Sequence, residues 1–254
     1  MSRYVSIAQA KQSPGLRMAC LRGVPSPWTE AARGVFFVKG IACLYAAQSK
    51  DEPDGALVAW AGEVGVPVVA YENEKLRTGW AEILILAERL KSEPALIPAD
   101  AAQRATLFGL AHEICGEMGF GWAYRLLMIQ QSLGHGGESN FPAGVANRLA
   151  AKYGLNPTHV RSAKARVIDI LRMLSERIAG RRYLIGASLS AVDIYWATFA
   201  NLIMPLSEAE LPAVPMIRAA YTCGDAEVLG AVSNELRALQ RRVYETHLEL
   251  PVPL

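Results

Sequence analysis

Histidine and cysteine are scarce in this chain, four of each among 254 residues, and neither type comes in pairs. No CxxC occurs, and no Cys or His pair has the spacing of zinc ligands. His112-Glu113 begins like the HExxH metal signature, but residue 116 is Gly where the second histidine would stand. No metal is therefore expected. Charge of one sign is also lacking. Lys and Arg total 26 against 24 Asp and Glu, and the basic residues cluster no further than doublets such as Arg181-Arg182 and Arg241-Arg242. A nucleic-acid or membrane-surface role needs a concentrated basic face, so neither is expected. Long apolar runs are absent too. The N-terminus, MSRYVSIAQAKQS, lacks the apolar stretch of a secretory signal. The most apolar segment, Ala81 to Leu90, carries Glu82, Glu88 and Arg89, which excludes a spanning helix. The chain reads as cytoplasmic. Its cysteines, Cys20, Cys43, Cys115 and Cys223, read as reduced, small buried hydrophobes.

What is present falls into two halves. Leu16 to Leu21 is a short alternating apolar run, read as a strand. The turn Gly23-Val24-Pro25-Ser26-Pro27 follows, with two prolines that cannot both lie inside a helix. Trp28 to Gly40 carries an apolar stripe near the helical period, with Gly40 as a stop. Ile41 to Ala47 is a second strand candidate, Lys50 to Gly55 a charged loop and Ala56 to Val64 a short helix. Val66 to Tyr71 is rich in β-formers. Glu72-Asn73-Glu74 is a tight turn from which Lys75 to Arg77 returns as a paired strand, and Trp80 to Lys91 is a helix. After the Pro-rich PALIPADA segment at 94–101 the strand signals stop. Helices are read over Ala102–Leu133 with breaks near Gly116, Gly119 and Gly121, then Ala143–Tyr153, Val160–Ala179, Ser190–Met204 and Asp225–His247, with a loop at Leu133–Pro142. The division predicts an α/β domain over 1–93 and an all-α domain over 100–254.

Four motifs, in order, carry a resemblance to the glutathione S-transferase superfamily. Ser26-Pro27-Trp28-Thr29-Glu30-Ala31-Ala32-Arg33 through Lys39-Gly40-Ile41 resembles the family's S/C-P-F-x-x-K/R signature, which ends in K-G-I. Val66-Pro67-Val68-Val69 is similar to its cis-proline segment. Ile85-Leu86-Ala87-Glu88, matched to the family's Y-L-A-E, places Thr78-Gly79 where the family has Glu/Gln-Ser. Tyr183-Leu184-Ile185-Gly186, followed by Ser188-Leu189-Ser190-Ala191-Val192-Asp193-Ile194, resembles Y-L-x-G-x-x-x-S-x-A-D-I. Ser190 and Asp193 form a capping box within it. The chain is thus identified as a divergent bacterial-type member with an omega/zeta-like Ser-Pro-Trp start and no Glu-Ser pair.

The resemblance implies a thioredoxin-like N-terminal domain, an all-helical C-terminal domain and a homodimer. It implies glutathione as co-substrate, with the catalytic Ser26 stabilising the thiolate at a helix N-terminus. Val66 and the cis Pro67 would present backbone to the cysteinyl unit. Trp28, Thr78 and Gly79 complete the glutathione contacts. Trp80, Trp122 and Tyr124 are candidate walls for a small hydrophobic ligand or electrophile. Each also has a plain structural reading: serines hold prolyl turns by backbone bonding, and aromatics at helical spacing belong to cores. Three functions stay open at this point. One is a glutathione-dependent transfer, cleavage or reduction. The second is a non-catalytic ligand-binding or interaction protein of the same fold. The third is a flatter, less charged ligand in place of the glutamyl group.

Overall fold

The computed structural model describes residues 4–48, 55–62, 65–134, 136 and 140–254. Two units separate, Met1–Leu96 and Ile97–Pro253. Most of the expected loop Lys50–Gly55, the end of the helix read to Val64 and much of the loop Leu133–Pro142 lie outside the described residues.

The first unit begins with two elements absent from the sequence reading, β1 (Tyr4–Val5) and α1 (Ile7–Gln12). They are too short and too polar to carry a periodic signal. α1 holds because Ser6 and Gln9 form a capping box, the Gln9 N–H donating to Ser6 Oγ at 3.2 Å and the Ser6 N–H to Gln9 Oε1 at 3.0 Å. Then come β2 (Leu16–Leu21), α2 (Pro27–Val38), β3 (Leu44–Gln48), α3 (Gly55–Ala61), β4 (Val68–Tyr71) and α4 (Trp80–Leu90). Among the described residues the sheet has the order β1-β3-β2-β4. β3 runs parallel to β1 and β2, whereas β4 is antiparallel to β2. The expected return strand Lys75–Arg77 shrinks to one bridge. Arg77 and Val69 exchange backbone bonds of 2.9 and 2.8 Å, and the chain then leaves for α4.

Period-two alternation sorts the sheet residues. Ala19, Ala46 and Val68 pack with Ile7 and Ala10 of α1 and Leu57 of α3. Tyr45, on the opposite face, lies under the Arg33 guanidinium of α2 at 4.5 Å. At the far end of α2, Lys39 is wholly buried. Its ammonium donates to the carbonyls of Lys91 (2.7 Å), Pro94 (2.9 Å) and Ser92 (3.3 Å) and pairs with Glu88 at 2.9 Å. The Lys39-Gly40-Ile41 motif thereby fastens α2 to the chain leaving α4.

The second unit is helical: α5 (Ala101–Cys115), α6 (Phe120–Gly134), α7 (Ala143–Lys152), α8 (Pro157–Ile178), α9 (Ala191–Ala200), α10 (Pro215–Ala220), α11 (Ala226–Gly230) and α12 (Asn234–His247). The turn from α5 into the start of α6 is closely packed. A Cβ on Gly119 would stand 2.6 Å from the His112 carbonyl oxygen, and one on Gly121 would stand 2.4 Å from the Phe199 ring. Two expectations are corrected here. The helix read over Ser190–Met204 stops at Ala200. The single helix read over Asp225–His247 is two, because the Ser175 hydroxyl of α8 holds the break open. It donates to the Ala231 carbonyl at 2.9 Å and accepts the Ser233 N–H at 3.0 Å, after which Ser233 caps α12. Short α10 lay below the reach of periodicity. At the start of α9, Asp193 is buried. It accepts the Ser190 N–H (2.8 Å), the Ser190 hydroxyl (2.7 Å) and the Leu184 N–H (2.8 Å), so the Tyr183-Leu184-Ile185-Gly186 turn and the helix share one carboxylate.

Candidate functional site

The sheet register brings three sequence-distant segments to one end of the first unit. β2 runs toward this end and stops at Leu21. A turn through Gly23, whose φ of +75° suits a residue without a side chain, leads to Ser26 at the N-cap of α2. β4 starts at this end. Val68 pairs with Ala19, and the cis Val66–Pro67 bond lies just before it. The Val69–Arg77 bridge then returns the chain to the same end, where Gly79 is the N-cap of α4. Ser26, Val66–Pro67 and Thr78–Gly79 are therefore neighbours by topology. The N-termini of both α2 and α4 face this end with their unpaired N–H groups and partial positive charge.

Ser26 is half-buried. Its N–H donates to the Val24 carbonyl at 2.8 Å, and its carbonyl accepts the Glu30 N–H at 2.8 Å, opening the helix. Its hydroxyl makes no capping bond, and Pro27 fills the first helical position, where no N–H is needed. The hydroxyl is thus left for another partner. Two of the cysteines are poor competitors for that role. Burial pushes the Cys43 thiol up to about 12, and burial also raises Cys115 well above the usual thiol range. Trp28, Thr78, Gly79 and Trp80 are all half-buried.

Glu82 was not singled out from the sequence. It lies in the first turn of α4, and its Oε2 lies 3.5 Å from where a Gly79 side chain would begin, while its Oε1 pairs with Lys75 at 3.0 Å. The chain thus sets its own carboxylate beside the positive end of α4. The signal was there to read, an acid three residues after a cap glycine.

In the second unit, Trp122 and Tyr124 of α6 part company. Trp122 is half-buried and meets Tyr153 edge-on at 4.6 Å. Tyr124 is buried, stacks on Phe120 at 6.2 Å and lies beside the Cys223 side chain, and burial raises its phenol far above the usual range. Among the described residues, no three His, Cys, Asp or Glu side chains gather as a metal group would, and no helix is long and apolar enough to cross a membrane.

No protein-family description matches the chain, and no curated protein sequence does either. Solved structures do. A glutathione transferase family member from Pseudomonas fluorescens Pf-5, with two glutathione bound, superposes with a TM-score of 0.63 at 11% identity, over 94% of this chain and 93% of that one. The chain has the glutathione S-transferase fold. A glutathione S-transferase from Methylobacterium radiotolerans in complex with glutathione sulfonate matches with a TM-score of 0.61 at 14% identity, over 91% of each chain. The theta class glutathione S-transferase of Xanthomonas axonopodis pv. citri, with glutathione bound, gives 0.59 at 16% identity over 92% and 94%. Within this fold, the thioredoxin-like part is the first unit and the helical part the second, as the ordered motifs implied.

Proposed function

We propose that the protein is a glutathione S-transferase-like member of that superfamily. It binds glutathione at the end of the first unit's sheet and uses Ser26 to stabilise the thiolate for transfer to, or cleavage or reduction of, a hydrophobic electrophile. The observation that carries this reading is the Ser26 hydroxyl, unspent at the N-cap of α2 and brought by the register beside Val66–Pro67. A hydroxyl that donates to a thiolate favours the charged form, and the helix terminus adds to it. Val66 offers its backbone to the cysteinyl unit, Trp28 flanks it, and the Thr78 hydroxyl with the Gly79 N–H receives the glutamyl end. Trp80, Trp122 and Tyr124 are the aromatic candidates for the electrophile. Three solved neighbours carry glutathione or its sulfonate. Phe37 of α2 and Ile85 of α4, both about half exposed, support a homodimer. The chain's composition supports a cytoplasmic location.

A hydrogen bond to a charged group contributes about 1.5–3 kcal/mol, and one pKa unit corresponds to about 1.4 kcal/mol. Ser26→Ala should therefore raise the pKa of the bound glutathione thiol by about 1–2 units, read from thiolate absorbance against pH. It should lower kcat/KM with an aryl halide at pH 6.5 by tenfold or more. An unchanged thiol pKa with an unchanged rate rules out the role given to Ser26.

The Glu82 carboxylate favours a second reading, in which the fold has lost its normal glutathione grip and serves as a ligand-binding or interaction protein. It occupies the charge environment that a glutamyl carboxylate would need. A flatter, less charged ligand is the corresponding occupant. Calorimetry with reduced glutathione separates the readings. Micromolar binding weakened by Ser26→Ala supports the first, and no heat up to millimolar concentration supports the second.

A further inference from the structure

The α6 helix carries one charged side chain in an otherwise apolar stretch. Arg125 stands between Tyr124 and Leu126 and is buried, with 6% of its surface exposed. Among the described residues, no carboxylate pairs with it. Its Nη1 lies 3.9 Å from the Met128 sulfur, and its buried Nε has no hydrogen-bond partner among the described residues. The Tyr221 and Tyr153 side chains lie beside the guanidinium and interact with it electrostatically. The rings of Phe141 and Tyr221 flank it at 5.3 and 5.7 Å from its Cζ. Trp122 extends the aromatic lining, edge-on to Tyr153. Four stretches of the second unit converge here: α6, the approach to α7 at Phe141, the C-cap of α7 at Tyr153 and the C-cap of α10 at Tyr221.

A buried cation without a counter-ion is costly, and phenols compensate it only by dipole. Structures that retain such a group supply an anion from somewhere, and an orphaned buried N–H points to where. A guanidinium takes a carboxylate in preference to a point anion, because its planar fork matches two oxygens. The rings around it favour a flat apolar body. We propose that Arg125, with the Tyr153 and Tyr221 phenols, receives the carboxylate of a small aromatic acid inside the second unit. Nε–H and one Nη–H face the carboxylate oxygens, and Phe141 and Tyr221 hold the ring. The site is independent of the glutathione reading, since none of its residues belongs to the first unit.

Calorimetry at fixed ionic strength tests it with 1-naphthoate and the neutral, nearly isosteric 1-naphthamide. The unaltered protein should bind naphthoate at least tenfold more tightly than naphthamide. Arg125→Gln should cut that preference below about twofold, and Arg125→Lys, which keeps charge but not the fork, should leave an intermediate value. Tyr221→Phe keeps the guanidinium and the ring, and serves if the arginine variants do not fold. It should weaken naphthoate three- to tenfold and leave naphthamide unchanged. Equal affinity for the two probes in the unaltered protein overturns the proposal, as does a preference that survives Arg125→Gln, or an equal loss of both probes in Tyr221→Phe.

Discussion

Replacing Lys39 by Met keeps the chain length and apolar stem and removes only the ammonium. In the native structure that ammonium is fully buried, pairs with Glu88 at 2.9 Å and satisfies the carbonyls of Lys91, Ser92 and Pro94. Its loss strands three acceptors and leaves Glu88, 19% exposed, with the Leu96 N–H at 2.8 Å as its remaining partner among the described residues. Breaking a buried pair from one side costs about 3–5 kcal/mol, most of it the desolvation of the abandoned charge. With a urea m-value of about 2 kcal/mol per molar, the unfolding midpoint should fall by roughly 2 M. Circular dichroism and tryptophan emission across a urea series measure it. The same reasoning makes a sharper claim about the pair. Adding Glu88→Gln to Lys39→Met removes the stranded charge but keeps an acceptor for Leu96, so the double variant should be more stable than Lys39→Met alone by about 1 kcal/mol or more. A Lys39→Met midpoint within about 0.5 M of the native value refutes the reasoning. So does a double variant that is less stable than the single one.

Asp193→Ala should cost about 3 kcal/mol or more in urea unfolding, because it orphans the N–H groups of Ser190 and Leu184 in a dry site. Burial holds the Asp193 carboxyl above the ordinary range, so its ionisation opposes folding, and Asp193→Asn should flatten the loss of stability as pH rises through that raised value. Glu210 behaves oppositely. Bonds from Arg241 and then Ser207 lower its carboxyl to about 2, so its contribution is full above the ordinary carboxylate value of 4.5 and disappears as pH falls toward 2. Urea midpoints between pH 5 and 2 should decline less in Glu210→Gln than in the native protein. Gly121→Ala presses a methyl to 2.4 Å from the buried Phe199 ring and should cost about 1–3 kcal/mol by thermal melting, whereas Gly109→Ala, with open space around it, should be neutral or stabilising.

The sequence announced the parts of the fold whose causes are local. The Ser190–Asp193 box, the Pro27 helix start and the β-rich Val68–Tyr71 run each state their structure within a few residues. What stayed hidden depends on distant partners. Nothing near Gly230 to Ser233 says that Ser175, more than fifty positions earlier, splits the last helix. β1 is two residues long and exists through its pairing with β3. The site divides the same way. Ser26, Val66, Pro67, Thr78 and Gly79 could be named from motif order, and the register explains their meeting. Glu82 acquires meaning only beside Gly79. Arg125 stands as a lone charge in an apolar stretch, but only the fold shows that no acid among the described residues pairs with it.

The short opening strand has a consequence for how the protein coexists with copies of itself. β3 is extended and apolar in part, and β1 occupies its outer backbone groups along Tyr45 and Ala46. With the lid of α1 in place, Ile7 and Ala10 also cover Ala19, Ala46 and Leu57. A chain trimmed to begin at Leu16 would offer β3 as an open sheet edge beside a bared apolar face, the pairing template from which β-aggregation grows. Two paired residues and one helical turn and a half thus act as a gatekeeper for solubility.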